Sequence, residues 1–105
     1  MWLDSSGYFR PPMEGIFYFG RNAAMMTLVG QQLDAAGMQA EGFMDEDELM
    51  AKLRSPKARL LVIGGGVEEG ARERLKKYCS EIGLLVLEHS AGPASLPGNI
   101  AEALG

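Results

Sequence analysis

The sequence predicts an α/β domain in which an open, doubly wound parallel sheet of about four strands lies between two layers of helices. Two observations predict it. Short apolar runs alternate strictly with amphipathic segments in the order β-α-β-α-β-α-β-α, and no internal repeat or linker interrupts them. Strict alternation implies parallel strands joined by right-handed helical crossovers. The length of 105 residues suits one domain with one modest core.

Four apolar runs are the predicted strands. Residues 15–20 and 60–63 are continuous apolar runs, typical of strands that are buried on both faces. Residues 38–44 are a less regular second strand, and residues 84–87 are a wholly apolar fourth strand.

The first two helices are predicted from their ends and their periodicity. Asn22 can cap the first helix and Gly37 can end it. Asp45, with Glu48 three positions on, predicts the start of the second helix, which Ser55-Pro56 ends. Helical spacing on the first helix predicts a buried face of Met25, Leu28, Val29, Leu33 and Ala36.

Residues 67–82 are the most regular helix. One face of its 3.6-residue period carries Ala71, Leu75, Tyr78, Cys79 and Ile82. Glu68 and Arg72 have the four-residue spacing of an ion pair on an exposed helix face. Residues 90–98 are predicted as a loop, and residues 99–104 as a short closing helix.

Composition excludes several classes of function. A net charge of −4 disfavours binding to nucleic acid, which needs clustered cations. No apolar run approaches the roughly 18 residues of a membrane span, and the amino terminus lacks the features of a secretory signal. The single cysteine, Cys79, lies on a predicted buried face, which favours a core thiol in a reducing compartment. We therefore expect a cytoplasmic protein with no membrane contact.

Residues 1–14 are predicted to be an arm that precedes a single domain of residues 15–105. Pro11-Pro12 interrupts any regular element, yet the segment carries Trp2, Leu3, Tyr8 and Phe9. These side chains suit an arm that packs on the domain or on a partner subunit. A disordered start is the alternative.

The residues that end the strands and the first helix carry a resemblance. They are Gly20-Arg21, Ala36-Gly37, Gly64 and Ser90-Ala91. In order and spacing, roughly residues 15–92 resemble the receiver domains of bacterial response regulators. The resemblance implies a flavodoxin-like, three-layer fold with strand order 2-1-3-4.

The departures from that family concern its chemistry. Gly20-Arg21 replaces the acidic pair that holds a divalent metal in a receiver, and Gly64 stands in the place of the phospho-accepting aspartate. No fifth strand with its lysine is predicted after Leu87. The resemblance therefore implies a degenerate pseudo-receiver that binds no metal or cofactor and cannot be phosphorylated on aspartate.

Ligands of open α/β sheets bind beyond the carboxyl ends of the strands, where the strand order reverses. The candidate ligand-binding residues at that edge are Gly20, Arg21, Asn22, Gly64, Gly65, Gly66, His89 and Ser90. The three glycines either offer backbone N–H groups to an anion or form a tight turn that needs positive φ. Arg21 either receives an anion or pairs with a surface acid. His89 is the single histidine, and no catalytic triad can be assembled around it.

Two hypotheses of function follow. The leading one is a non-catalytic regulatory or protein–protein interaction domain that forms a homodimer through the edge of the fourth strand or through the arm. An exposed apolar edge invites pairing with another chain. The alternative is a small-molecule or nucleotide/anion-binding module, possibly an enzyme, that uses the loop Gly64-Gly65-Gly66.

Overall fold

A computed structural model of the protein describes residues 13–89 and 93–104. Its strands are β1 (Met13–Phe19), β2 (Met38–Phe43), β3 (Leu60–Gly64) and β4 (Leu85–His89). Its helices are α1 (Ala23–Ala35), α2 (Glu46–Leu53), α3 (Glu69–Ile82) and α4 (Leu96–Leu104), with a 3-10 turn at Pro93–Ser95. Residues 1–12 of the predicted arm lie outside the described residues, and Met13 already belongs to β1.

The four strands form one parallel sheet in the order β2-β1-β3-β4, which confirms the predicted fold class. Ile16 on β1 pairs with Leu60 on β3, which in turn pairs with Leu85 on β4. β2 and β4 are therefore the edges of the sheet. The strand order reverses between β1 and β3, because β2 and β3 lie on opposite sides of β1.

Successive side chains of the inner strands point to opposite faces and build two cores. On one face, Phe17, Leu61 and Ile63 pack against buried residues of α2 and α3. On the other face, Ile16 and Val62 pack against buried residues of α1 and α4. The helix residues that close the two cores are Leu49, Leu53, Ala71, Leu75 and Cys79 on the first face, and Val29, Leu33, Leu96 and Ile100 on the second.

Side chains cap the first two helices as predicted. Asn22 Oδ1 accepts a hydrogen bond from the Met25 N–H at 2.9 Å, which fixes the start of α1. Asp45 Oδ1 accepts from the N–H groups of Asp47 and Glu48 at 2.8 and 3.2 Å. Each cap satisfies backbone donors that the first turn of a helix leaves without partners.

Two sequence predictions are corrected here. Residues 93–98 were expected to be loop, but the 3-10 turn begins at Pro93 and α4 already begins at Leu96. Pro97 fits there because the first turn of a helix needs no backbone N–H. The apolar face predicted for α1 is too wide, because Leu28 is 47% exposed. Leu28 lies about 100° around the helix from buried Val29.

The outer edge of β4 carries apolar surface. Leu85, its first residue, is 48% exposed, and Ile82 at the end of α3 is 45% exposed. Ile82 was predicted to be buried, but the sheet beside it ends at β4. Over the described residues, no helix combines the length and the apolar character needed to cross a bilayer.

Cys79 is fully buried, as its position in the apolar stripe predicts. Burial raises the pKa of its thiol from 9.0 to about 11. We expect iodoacetamide at about pH 8 to label Cys79 no faster than the chain unfolds, because the thiolate is the reactive species. In a Ser80→Cys variant, the added thiol lies on the exposed neighbouring position and should be labelled at once. Equal labelling rates at the two positions in the native protein would show that Cys79 is accessible.

The Cys79 thiol also makes the free energy of unfolding depend on pH in the alkaline range. The unfolded chain loses this proton near pH 9.0, whereas the folded chain keeps it to about pH 11. The unfolded state therefore binds fewer protons between these values, and the free energy of unfolding falls as the pH rises through them.

Candidate functional site

A cleft of about 400 Å³ lies beyond the carboxyl ends of β1 and β3, where the strand order reverses. The loop from β1 to α1 forms one wall, and the loop from β3 to α3 forms the other. Its described lining residues are Tyr18, Phe19, Gly20, Arg21, Asn22, Met25, Met26, Val29, Val62, Gly64, Gly65, Gly66, His89 and Leu96.

Seven of the eight residues proposed from the sequence line this one cleft. They are Gly20, Arg21, Asn22, Gly64, Gly65, Gly66 and His89. Ser90, the eighth, lies outside the described residues. Parallel strands bring their carboxyl ends to one edge of the sheet, so residues far apart in sequence meet there.

Arg21 is held by contacts within the protein. Its guanidinium donates to both carboxylate oxygens of Glu68, at 3.0 and 2.8 Å, and to the carbonyl of Met44 at 2.6 Å. It also lies 4.8 Å from the centre of the Phe19 ring. The hydrogen bond from Arg21 lowers the pKa of Glu68. Arg21 thus pairs with a surface acid, one of the two roles predicted for it.

Arg72 is hydrogen-bonded to the glycine loop, Gly64-Gly65-Gly66, and to the residue that follows it. Its Nη2 donates to the carbonyl oxygens of Gly64, Gly65 and Val67, at 3.2, 3.5 and 3.0 Å. Its Nη1 donates to Glu88 on β4 at 2.9 Å. The side chain is only 15% exposed, and its contacts with Gly64 and Val67 are partly buried, whereas those with Gly65 and Glu88 are exposed. One guanidinium thus joins the loop after β3 to the edge strand.

The ion pair that helix spacing predicts between Glu68 and Arg72 is wrong. Glu68 pairs with Arg21, and Arg72 pairs with Glu88. Arg72 turns inward because the partly buried carbonyls of Gly64 and Val67 need hydrogen-bond donors. Lys76 also contacts Glu88, at 3.1 Å, and hydrogen bonds from Lys76 and then Arg72 lower the pKa of that carboxyl.

The glycine loop does not adopt the backbone expected for a tight turn. Positive φ occurs among the described glycines at Gly15, Gly37 and Gly83, so the expected positive φ in this turn is wrong. The constraint at Gly64 is space. A β carbon there would lie 3.3 Å from the carbonyl oxygen of Phe19 on β1.

His89 closes the end of the cleft beside β4. It is half-buried, and its Nδ1 lies 3.2 Å from the amide nitrogen of Asn99 on α4. Sequence reasoning missed Asn99, because residues 90–98 were expected to be loop and α4 to begin only at Asn99. It also missed the apolar lining from Tyr18 and Val62, although their alternation with buried Phe17 and Leu61 indicates a shared face.

The edge of the sheet carries no carboxylate at Gly20, Arg21 or Gly64, and Arg21 is bound to Glu68. Within residues 13–89 and 93–104, no group of His, Cys, Asp and Glu side chains is placed to hold a metal ion. The described lining of the cleft combines apolar side chains and glycine backbone with Asn22, His89 and the paired cation Arg21.

Comparison of the chain with protein-family models, with curated proteins and with solved structures found no match in any of the three. The resemblance to receiver domains therefore stays a prediction.

Proposed function

We propose that this chain is a non-catalytic interaction domain, a pseudo-receiver, that forms a homodimer through the outer edge of β4. The observation that supports the proposal is an apolar strand at the edge of the sheet. Leu85, Val86 and Leu87 are three of its five residues, and Leu85 is 48% exposed. In the described part of the chain, no strand pairs with its outer side.

An edge of this kind favours pairing with another strand. Alternate residues of an edge strand direct their backbone N–H and C=O groups away from the sheet. A second strand satisfies these groups and covers the apolar side chains beside them. In the described chain α4 follows the 3-10 turn and packs on one face of the sheet, where it contacts α1 and the Leu87 side of β4.

A second copy of the chain suits this edge. Two β4 strands related by a two-fold axis would run antiparallel and extend the two sheets into one. The axis would pass beside Val86 or Leu87, so apolar residues would meet at the centre. Glu88 would approach its own copy, but Arg72 and Lys76 of the same protomer already compensate its charge.

The test is the solution mass of the full chain by light scattering over a concentration series. We expect a dimer at micromolar concentration. Leu85→Lys should weaken it at least about tenfold, equivalent to about 1.4 kcal/mol. Leu28→Lys is the matched control. Leu28 is 47% exposed, and its helix α1 contacts β2, which is the opposite edge of the sheet from β4.

Two results would contradict the proposal. A monomer at every concentration would exclude the homodimer. A dimer that Leu85→Lys leaves intact would place the interface elsewhere, with the residues 1–14 segment as the next candidate. Circular dichroism should first show that the Leu85→Lys variant is folded.

A further inference from the structure

The cleft above β1 and β3 has an apolar interior. Its lining includes Val29, Val62 and Leu96, which are buried, and Tyr18, which is half-buried. Met25 is 45% exposed at its rim, in the first turn of α1, where the sequence predicts a buried residue. An exposed flexible thioether beside an apolar floor is suited to packing against a ligand.

The cationic side chains at the cleft are paired with other groups of the protein. Arg21 is the one Lys or Arg side chain in its described lining, and its guanidinium is bidentate to Glu68. Arg72 lies beneath the glycine loop, bound to three carbonyls and to Glu88. An entering anion would have to displace Glu68 from Arg21, and Glu69 in the first turn of α3 adds negative charge nearby. This electrostatic pattern favours an uncharged ligand over a phosphate.

The glycine wall leaves room for a flat group. A β carbon built on Gly66 would meet no atom within 4 Å, so the backbone there is open to the cleft. On the opposite wall, Met25 and Met26 follow the loop that holds Gly20. A planar ring can lie between methionine side chains and an exposed peptide backbone, since the one charged group of that wall, Arg21, is paired with Glu68.

We propose that this cleft binds an uncharged, largely apolar aromatic small molecule between the methionines of α1 and the loop Gly64-Gly65-Gly66. The cleft is separate from the β4 edge, so the inference does not depend on the proposed homodimer. This ligand class differs from the anion or nucleotide of the alternative hypothesis based on the loop Gly64-Gly65-Gly66.

The test compares two fluorescent probes that differ by one charge. N-phenyl-1-naphthylamine is uncharged, and its 8-sulfonate is the same ring system with an anion attached. We expect the full chain to bind the neutral probe at least about tenfold more tightly than the sulfonate. A sulfonate that binds equally well or more tightly would overturn the proposal in favour of an anion site.

Two variants locate the bound probe. Gly66→Leu should weaken neutral-probe binding at least about tenfold, because a β carbon at Gly66 meets no atom within 4 Å and the rest of the side chain would take up space in the wall of the cleft. Gly98→Leu is the matched control, since Gly98 is exposed on α4, also meets no atom, and does not line the cleft. Met25→Glu should weaken binding as well, while an acid at this third helical position supports the start of α1.

The outcomes separate this inference from the homodimer. Leu85→Lys should retain neutral-probe binding whether or not it dissociates the dimer. Binding lost in Leu85→Lys and retained in Gly66→Leu would place the probe on the β4 edge and overturn the proposal. Absence of binding by the neutral probe would overturn it as well.

Discussion

Gly15→Ala is expected to lower the free energy of unfolding by about 3 kcal/mol or more, which combines left-handed strain with overpacking. Gly15 lies in β1 at φ +79°, within an irregularity in the pairing with β2. A β carbon there would overlap the carbonyl oxygen of Lys57 and lie 3.1 Å from its carbonyl carbon. The neighbouring backbone cannot retreat freely, because the Arg59 N–H donates to the Gly15 carbonyl at 2.8 Å.

Gly37→Ala is the matched control for this effect. Gly37 has a similar φ of +76°, but a β carbon there would have no atom within 4 Å. Only the conformational cost remains, so we expect about 1–2 kcal/mol. Urea unfolding of both variants measures the difference. Equal losses would show that backbone strain alone, and not the contact with Lys57, makes Gly15 necessary.

The second large effect is expected for Arg72→Met, which should lower the free energy of unfolding by about 3 kcal/mol. Methionine keeps much of the side-chain volume but removes every donor. The carbonyls of Gly64 and Val67 would then lose a partly buried hydrogen-bond donor, that of Gly65 an exposed one, and Glu88 one of its two cations. Lysine is a poor substitute, because it lacks the planar fork that reaches several acceptors at once.

Arg74→Met, two residues along the same helix, controls for the loss of a charge. Arg74 is bidentate to Glu46, but its side chain is 61% exposed. Ion pairs with one largely exposed partner contribute little, so we expect a loss of about 1 kcal/mol, near the upper end for such pairs because the contact is bidentate and Glu46 is 18% exposed. If chemical unfolding gives equal losses for both variants, Arg72 does not anchor the glycine loop.

The fold was predictable because its signals are local. The apolar runs around Phe17 and Leu61, the caps Asn22 and Asp45, and the stop at Gly83 each fix one element of the chain. Alternation of these elements then leaves few arrangements other than a parallel sheet covered on both faces. The start of α4 was missed because Pro97 reads as a loop residue although it suits a first helical turn.

The cleft was predictable only in outline. Topology alone brings Gly20, Gly64 and His89 to one edge of the sheet, and the structure places them there. Spacing along α3 could not show which partner Arg72 takes, because helix neighbours compete with groups from other elements. The choice depends on loop carbonyls and on Glu88, whose positions the tertiary fold determines.

The most direct measurement of the interface is amide hydrogen exchange of β4, followed by NMR at high and low protein concentration. Dimerisation through this edge predicts that the Leu85–His89 amides directed away from β3 are protected at high concentration and exchange rapidly after dilution. Amides that bond to β3 should stay protected at both concentrations. Rapid exchange of the outward amides at every concentration would contradict dimerisation through this edge.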